Sequence, residues 1–316
     1  MSRIWKALIG ASLILASVAV VGPSVAGASS ARYVCSGGNI PSGTYSSVVV
    51  RGTCFLPSGA VMVKRNLTVA SGALLDAATP VNPSANGPDG LPGSLKVRGD
   101  VRVDPGGVLL MGCDPAGGCP NGSTRGADSI GGDLTGIGAL GVVVHSVHVH
   151  GSAVLFGGGG GASLVNGPGS GTCLGNPATN TPASVPPLWA SAPSLANGEG
   201  PGNPLPVFSN FEDNSIGGNL VVAGLQSCWF GALRNQVGHN AVIAFNRMGD
   251  PDANEVMTNT IGANFLCVGN DHAVQFGDSG GSSNVVRRHA VGECGFDVRI
   301  PNGDGGPLTP VSVRAT

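Results

Sequence analysis

A short pattern of polar and apolar positions occurs four times in the C-terminal part of the chain. The segment NSIGGNLVV begins at residue 214 and returns as NQVGHNAVI at 235, NTIGANFLC at 259 and, more weakly, NVVRRHAVG at 284. The repeat length is thus about 21 to 25 residues, which is typical of solenoid proteins. In each copy an aliphatic residue lies two positions after the first Asn, and a short apolar segment follows the second Asn or its equivalent. This pattern predicts a stack of short strands.

A unit of this length is too small to bury its own apolar face, so the copies are expected to stack and share one core. Stacked strands lie about 4.8 Å apart, which lets equivalent Asn side chains form a hydrogen-bonded ladder. Asn and Gly also tolerate the left-handed backbone that tight corners require. The predicted ladder residues are Asn214, Asn219, Asn235, Asn240, Asn259 and Asn264.

A second pattern occupies the N-terminal half. The segments NLTVASGALL at 66, DVRVDPGGVLL at 100 and SVHVHGSAVLF at 146 align as an alternating strand, a small turn and a paired strand. TCFLPSGAVM at 53 fits as a weaker half-unit. Alternation predicts strands with one buried face. The alignment places His148 in the position of Thr68 and Arg102, and it predicts that His148 and His150 point outward.

With this period, these Asn positions and Gly-rich turns, the sequence resembles secreted right-handed parallel β-helix proteins of pectate-lyase-like architecture. The resemblance covers most of 46–296. It implies an all-β fold, a right-handed parallel β-helix solenoid with Asn ladders and a long Gly/Pro-rich insertion. A β-sandwich or barrel is the alternative, but its strands would recur at about 8 to 12 residues and would need no matched Asn pairs.

Composition along the chain predicts the boundaries of these parts. The segment 157–207 begins with five glycines and holds nine prolines from Pro168 to Pro206, which is typical of a long loop or a disordered insertion. The tail is expected to be a cap or a frayed end. The predicted organisation is a signal peptide (1–28), N-terminal coils (29–156), the insertion (157–207), C-terminal coils (208–300) and a tail (301–316).

The N-terminus has the order of a secretory signal. Arg3 and Lys6 precede an apolar run, and small residues at Ala26 and Ala28 resemble a cleavage site. The run extends from Ala7 to Val21 and is shorter than the roughly 18 residues that a membrane-spanning helix needs. We expect cleavage after Ala28 and a protein that is secreted, working outside the cell or in the cell envelope.

Eight cysteines follow the predicted signal. An even number in an exported protein predicts disulfides, and pairing in sequence order is a hypothesis that spacing alone leaves open. Zinc is the alternative, but the chain has no CxxC pair, and no metal site is predicted. The cysteines are Cys35, Cys54, Cys113, Cys119, Cys173, Cys228, Cys267 and Cys294.

Charge and glycine content narrow the possible partners. Removal of the signal takes Arg3 and Lys6 from the 16 basic residues, which leaves fewer than the 18 acidic ones and no basic stripe that could hold a nucleic acid. The run Gly157–Gly161 lacks the Lys-Ser/Thr of a phosphate-binding loop. The sequence therefore gives no support for nucleic acid or nucleotide binding.

One segment resembles part of a catalytic motif. GDSGG at 277–281 is similar to the nucleophile segment of chymotrypsin-like proteases, which would make Ser279 a nucleophile. The histidines of the first half lie in VVVHSVHVH, which does not match the histidine segment of that family. Because Asn repeats flank GDSGG at solenoid spacing, we expect a turn between strands, with a protease as a distant alternative.

The repeat register predicts one column of polar side chains. Gln226, Arg247 and Asp271 each lie equally far beyond the first Asn of their copy. With nearby acidic residues they could serve a polysaccharide lyase or hydrolase, with calcium as a possible cofactor of a lyase. The alternative is a solvated turn with an exposed Arg247–Asp271 pair of small energetic value. The catalytic candidates are Arg247, Asp250, Asp252, Glu255, Asp271 and Asp278.

The ligand-binding candidates are Gln226, Trp229, Arg287 and Arg288. Trp229 and Phe230 could stack on a sugar ring if exposed, or pack against a disulfide through the neighbouring Cys228. The two arginines could bind an anionic sugar, or mark a capping coil that has lost its repeat character. We expect a non-catalytic binding or structural module that contacts a polysaccharide or surface polymer, with a lyase or hydrolase as the alternative. No cofactor is expected for the binding module.

Overall fold

The protein is a parallel β-helix. The computed structural model describes residues 31–56, 59–78, 93–112, 128–161, 186–192, 206–249, 253–276, 281–299 and 309–312, together with Cys173 and Leu195. Each coil of the chain adds one strand to each of three sheets, which we name A, B and C, and strands are numbered in chain order. The predicted β-helix is therefore confirmed.

The three sheets contain 10, 11 and 9 strands. Sheet A consists of β1 (Arg32–Cys35), β4 (Ser47–Val50), β7 (Leu67–Val69), β10 (Val101–Val103), β13 (Leu134–Ile137), β16 (Ala153–Phe156), β19 (Leu220–Ala223), β23 (Ala241–Ala244), β27 (Phe265–Val268) and β30 (Ala290–Gly292). Sheet B consists of β2 (Gly38–Asn39), β5 (Thr53–Phe55), β8 (Leu74–Ala78), β11 (Val108–Gly112), β14 (Gly141–His145), β17 (Phe208–Glu212), β21 (Trp229–Leu233), β25 (Asn254–Met257), β28 (Gln275–Phe276), β31 (Phe296–Arg299) and β32 (Thr309–Ser312). Sheet C consists of β3 (Gly43–Tyr45), β6 (Ala60–Val63), β9 (Ser94–Val97), β12 (Ser129–Ile130), β15 (His148–Val149), β18 (Ser215–Ile216), β22 (Gln236–Val237), β26 (Thr260–Ile261) and β29 (Val285–Val286).

Further elements lie outside these sheets. Two short strands, β20 (Gln226–Ser227) and β24 (Arg247–Met248), pair with each other at the corner between sheets A and B. A helical turn, α1, spans Pro187–Ala190, and a 3-10 turn spans Glu293–Gly295. Within the three sheets every described pairing is parallel except that of β31 with β32, which closes the C-terminal end of sheet B. Part of the predicted tail is thus an antiparallel strand.

Alternation along each strand divides the side chains between one core and the outer faces. On β19, Leu220 and Val222 enter the core while Val221 and Ala223 face outward. The same alternation is repeated in register in the neighbouring coils, so inward side chains stack in columns. One continuous core follows, as the short repeats require.

The first predicted ladder lies at the corner between sheets B and C. The backbone N–H and the Nδ2 of Asn214 both donate to Oδ1 of Asn235 at 3.0 Å, and the same pair of bonds links Asn235 to Asn259 and Asn259 to Asn284. All four side chains are buried. The ladder satisfies polar groups that the tight corner would otherwise leave unpaired inside the protein.

The second ladder lies at the corner between sheets C and A and runs in the opposite direction. Asn240 donates from its backbone N–H and from Nδ2 to Oδ1 of Asn219, and Asn264 donates in the same way to Asn240. Toward the N-terminus the ladder continues with single backbone N–H bonds to side-chain oxygens. These oxygens belong to Ser152, Asp133, Asp100 and Asn66.

The predicted alignment of the segment at 146 with those at 66 and 100 is wrong, because its first strand belongs to a different sheet. Thr68 and Arg102 are neighbours in sheet A, as predicted, but His148 lies in sheet C beside Ser129 and Ser215. The error arises because a strand, a small turn and a second strand occur at more than one corner of the coil. Alternation therefore identifies the strands without telling which sheet receives them.

Among the described residues, three disulfides pair six cysteines in sequence order, as hypothesised for them. They join Cys35 to Cys54, Cys173 to Cys228 and Cys267 to Cys294. Cys113, Cys119 and the predicted signal peptide lie outside the described residues. Such disulfides fit a protein of an oxidising, extracellular compartment. Within the described ranges, no helix is long and apolar enough to cross a membrane.

Part of the predicted loop insertion is packed against sheet B. Trp189 of α1 is fully buried on the outer face of that sheet, and a Cβ placed at Gly141 would overlap its ring. The Cys173–Cys228 disulfide ties this covering segment to the start of β21. The composition of 157–207 predicted a loop, whereas its described residues pack apolar side chains against the outer face of three strands of sheet B. They cover β8, β11 and β14.

Candidate functional site

The column predicted from the repeat register forms at the corner between sheets A and B. Gln226 pairs with Arg247 through β20 and β24, and Arg247 forms a bridge with Asp271 on the next coil. The prediction succeeds because the spacing from the ladder Asn to this corner is constant in these coils, although the coils themselves differ in length. Length differences are taken up elsewhere in each coil.

Arg247 and Asp271 form an ion pair on the surface. Their closest charged atoms, Nε and Oδ2, are 3.4 Å apart, and about half or more of each side chain is exposed. Solvent screens such a pair, which contributes little to folding stability. Both groups remain open to a ligand from the solvent side.

A phenylalanine that sequence reasoning missed lies beside this column. Phe245 has a φ of 54° and a relative exposure of 65%. It follows β23 directly, at the position that is glycine after β13, β16, β19 and β27. A left-handed backbone is unfavourable for a bulky side chain, so this residue is an outlier among its equivalents. The signal was present in the sequence, because LVVAG and FLCVG align with AVIAF.

A third ladder holds Phe245 in this conformation. The buried Asn246 accepts from the backbone N–H of Leu225 at 2.9 Å and donates from Nδ2 to the carbonyl of Val222 at 3.1 Å. Its own backbone N–H donates to Oδ1 of Asn270 at 3.1 Å. The Phe245 ring extends over the next coil, where a Cβ at Gly269 would come within 2.6 Å of it. Surrounding bonds therefore fix the backbone while the ring stays in solvent.

Trp229, another predicted contact residue, is engaged on the outer face of sheet B. Its Nε1 donates to Oε1 of Glu255 at 3.0 Å, and its ring packs edge-on against Phe208 with centroids 5.7 Å apart. Glu255 is buried on β25, and Phe230 points into the core. Phe230 therefore cannot form an exposed aromatic pair with Trp229. Glu255 is part of sheet B, away from the solvent that surrounds Arg247 and Asp271.

A polar network at the corner between sheets B and C was also missed. Arg234 donates from Nε and Nη2 to both carboxylate oxygens of Asp213 at 2.9 Å, and it contacts Glu212 as well. Asn210 donates from Nδ2 to Glu212 at 2.9 Å and lies 2.9 Å from Nε2 of His145. The hydrogen-bonded Asp213 carboxylate raises the pKa of Arg234 above its usual value. Asp213 and Arg234 lie one repeat apart, a spacing that could have predicted their contact.

The remaining candidates lie elsewhere. Arg287 and Arg288 are exposed at the last corner between sheets C and A, where their backbone N–H groups donate to Ile261 and Ala263. His148 and His150 are exposed and pack edge to face with centroids 4.2 Å apart. Asp250, Asp252, Asp278 and Ser279 lie outside the described residues.

In the parts of the chain that the structure describes, no group of three His, Cys, Asp or Glu side chains is placed to hold a metal ion. A buried carboxyl group does occur in the N-terminal coils. Asp128 is 4% exposed and accepts a 2.8 Å hydrogen bond from the backbone N–H of Leu95. Burial raises the pKa of Asp128 to about 7. Comparison of the chain with protein-family models, curated proteins and solved structures finds no match.

Proposed function

We propose that this protein is an exported β-helix of the extracellular space or cell envelope that binds a polysaccharide without cleaving it. The contact surface is the corner between sheets A and B, which we call the rim and define as Gln226, Phe245, Arg247 and Asp271. The observation that carries the proposal is Phe245, a strained and exposed aromatic residue where the equivalent corners have glycine. Strain at a surface position is retained when the side chain has a use there.

The chemistry of the rim suits a sugar chain. An exposed aromatic ring such as that of Phe245 can stack against the apolar face of a pyranose ring. The side chains beside it supply donors and acceptors for hydroxyl groups: the guanidinium of Arg247 donates, the carboxylate of Asp271 accepts, and the amide of Gln226 does both. Arg247 and Asp271 lie on consecutive coils, so the rim extends along the β-helix and fits an extended chain better than a small molecule.

Two features support action outside the cytoplasm. The segment 1–28 has the charged, apolar and small-residue order of a secretory signal. The three disulfides in the described residues add the stabilisation common in exported proteins. A polysaccharide of the envelope or surroundings is the class of partner that a protein in this location would meet.

Phe245→Gly tests the proposal. The variant gives the corner the residue of its neighbours, so the fold is retained and retention on an immobilised polysaccharide should fall at least about tenfold. A panel of neutral and acidic polysaccharides identifies the ligand. Val34→Ala is the matched control, since Val34 is an exposed apolar residue of sheet A at the far N-terminal end.

Each outcome bears on the proposal. Retention of both wild type and Val34→Ala, with loss in Phe245→Gly, supports the rim. Equal retention of all three proteins, or retention of none on any polysaccharide, contradicts it. Release of new reducing ends that depends on Arg247 and Asp271 would replace the binding function with a lyase or hydrolase activity, and a chelator would show whether calcium takes part.

A further inference from the structure

We propose that the outer face of sheet A from β16 to β30 is a docking surface for a second copy of this chain. The face belongs to β16, β19, β23, β27 and β30. We call it the apolar face. It consists of Val154, Phe156, Val221, Ala223, Val242, Ala244, Leu266, Val268 and Val291, of which Ala244 is itself buried.

Strand register sets these side chains in two straight columns. In one column Val154, Val221 and Val242 lie beside one another on successive strands, and Leu266 and Val291 continue it. The second column begins at Phe156 and ends at Val268. Between them the alternate residues enter the core. The result is a flat surface on which none of the nine outward side chains can form a hydrogen bond.

The exposed apolar area lies within the range of the largest patches found on monomeric proteins. Relative exposures are 60% for Phe156, 50% for Val291, 39% for Val268 and 36% for Leu266, with Ile137 adjoining Phe156 at 45%. At roughly 200 Å² for a fully exposed large side chain, these residues and the half-buried valines present about 500 Å². The largest apolar patch on a monomeric protein is typically about 300–600 Å² and is often functional.

This area matches what a protein interface requires. A standard interface buries about 800 Å² on each partner, of which about 60% is apolar, or close to 500 Å². Flat sheet faces pack against each other at about 10 Å with nearly aligned strands. Since a two-fold axis lets the same face serve both partners, a second copy supplies the complementary surface directly.

A polysaccharide fits this face less well than it fits the rim. Sugar hydroxyls lose hydration when they are covered, and the nine side chains offer no donor or acceptor to replace the lost water. The apolar character also ends abruptly. In the column of Val242, the three strands next to β16 toward the N-terminus carry Thr135, Arg102 and Thr68, so this stretch of the column is polar.

Sedimentation velocity over a concentration series tests the proposal with the full mature protein. Val242→Lys places a charge in the centre of the apolar face, and Thr135→Lys makes a charge insertion in the same column among the N-terminal coils. We expect a wild-type dimer whose dissociation constant rises at least about tenfold in Val242→Lys and stays unchanged in Thr135→Lys. Equal melting temperatures for the two variants would exclude unfolding as the cause.

Two results would overturn the proposal. One is a wild-type protein that stays monomeric at every concentration up to about 100 µM, a range that covers weak dimers. If that monomer binds phosphatidylcholine vesicles and Val242→Lys abolishes the binding, the face is assigned to lipid. The other is a dimer that Val242→Lys leaves intact. Val242→Lys leaves all four rim residues unchanged. Its retention on a polysaccharide therefore tests the rim, while its sedimentation tests the dimer, and failure of one proposal leaves the other testable.

Discussion

The N-terminal coils (31–156) and the C-terminal coils (206–299) share one backbone plan but hold their corners together differently. At the corner between sheets C and A, the step from Asn240 to Asn219 in the C-terminal coils has two bonds, one from the backbone N–H and one from the side-chain amide of Asn240. In the N-terminal coils the corresponding step from Asp133 to Asp100 has a single bond, from a backbone N–H to a carboxylate oxygen. A carboxylate cannot donate in return.

The difference shows that the backbone path does not require one particular ladder residue. Any side-chain oxygen can accept the N–H of the next corner, whereas only an amide also extends the chain of side-chain bonds. Where the ladder is buried, as at Asn235, the amide also satisfies a backbone carbonyl of the core. At exposed corners such as Asp133, water can take that role, so a carboxylate suffices.

The largest expected effect is that of Asn235→Ala. This change removes the acceptor of the Asn214 backbone N–H and the donor to the Phe211 carbonyl, both of which are buried. Each of these two buried groups costs about 1–3 kcal/mol when left unpaired, so the free energy of unfolding should fall by about 2–6 kcal/mol. Chemical denaturation at fixed pH measures the loss.

Asp133→Ala is the comparison variant in the N-terminal coils. It removes one bond, from the Ser152 backbone N–H, at an exposed corner, so the loss should be about 1 kcal/mol. Similar losses in the two variants would show that burial of the ladder and its amide add nothing to the stability of a corner.

The second prediction concerns pH. Burial raises the pKa of Asp128 from 3.8 to about 7. Below about pH 4 the carboxyl group is protonated in both states; between pH 4 and 7 the unfolded chain ionises while the folded protein keeps the proton. The free energy of unfolding contributed by this group therefore falls as the pH rises, by about 4 kcal/mol in total.

Asp128→Asn should lack this dependence, because an amide does not ionise and can still accept from Leu95. Denaturation curves of the wild type and the variant from pH 4 to pH 8 measure how the free energy of unfolding changes with pH. The variant should gain stability relative to the wild type as the pH rises, and parallel curves would refute the assignment. Asn235 in the C-terminal coils is a useful contrast, since its ladder contains no ionisable group.

The smallest effect is expected at the corner between sheets A and B. Phe245→Gly relieves a left-handed backbone and should raise the free energy of unfolding by about 1 kcal/mol. Gly138→Ala makes the reverse change in the N-terminal coils. The φ of Gly138 is 62°, and an added Cβ would contact Pro105 at an ordinary 3.4 Å, so the backbone strain alone should lower the free energy of unfolding by about 1 kcal/mol. Thermal unfolding of both variants tests the pair, and a destabilised Phe245→Gly would show that the ring is part of the core packing.

The sequence predicted more about the C-terminal coils than about the N-terminal ones. Repeated Asn residues fixed the register there, so the column from Gln226 to Asp271 could be placed from spacing alone. The N-terminal coils have Asp, Ser and backbone groups in the ladder positions, and their alternation alone assigned His148 to the wrong sheet. The polar network of His145 and Glu212 was not predicted, because these residues do not belong to a repeated motif.

By itself the sequence determined the β-helix and its Asn ladders, because these features follow from local periodicity, whereas the pairing of the described cysteines was settled by the structure. Only the tertiary structure decided that Trp189 of the insertion covers sheet B, while Phe156 and Val291 on the outer face of sheet A stay exposed. It also decided that Phe245 stays in solvent while Phe230 is buried. Periodicity places a side chain inside or outside its own coil, but what lies over the outside depends on segments distant along the chain, and no local pattern contains that information.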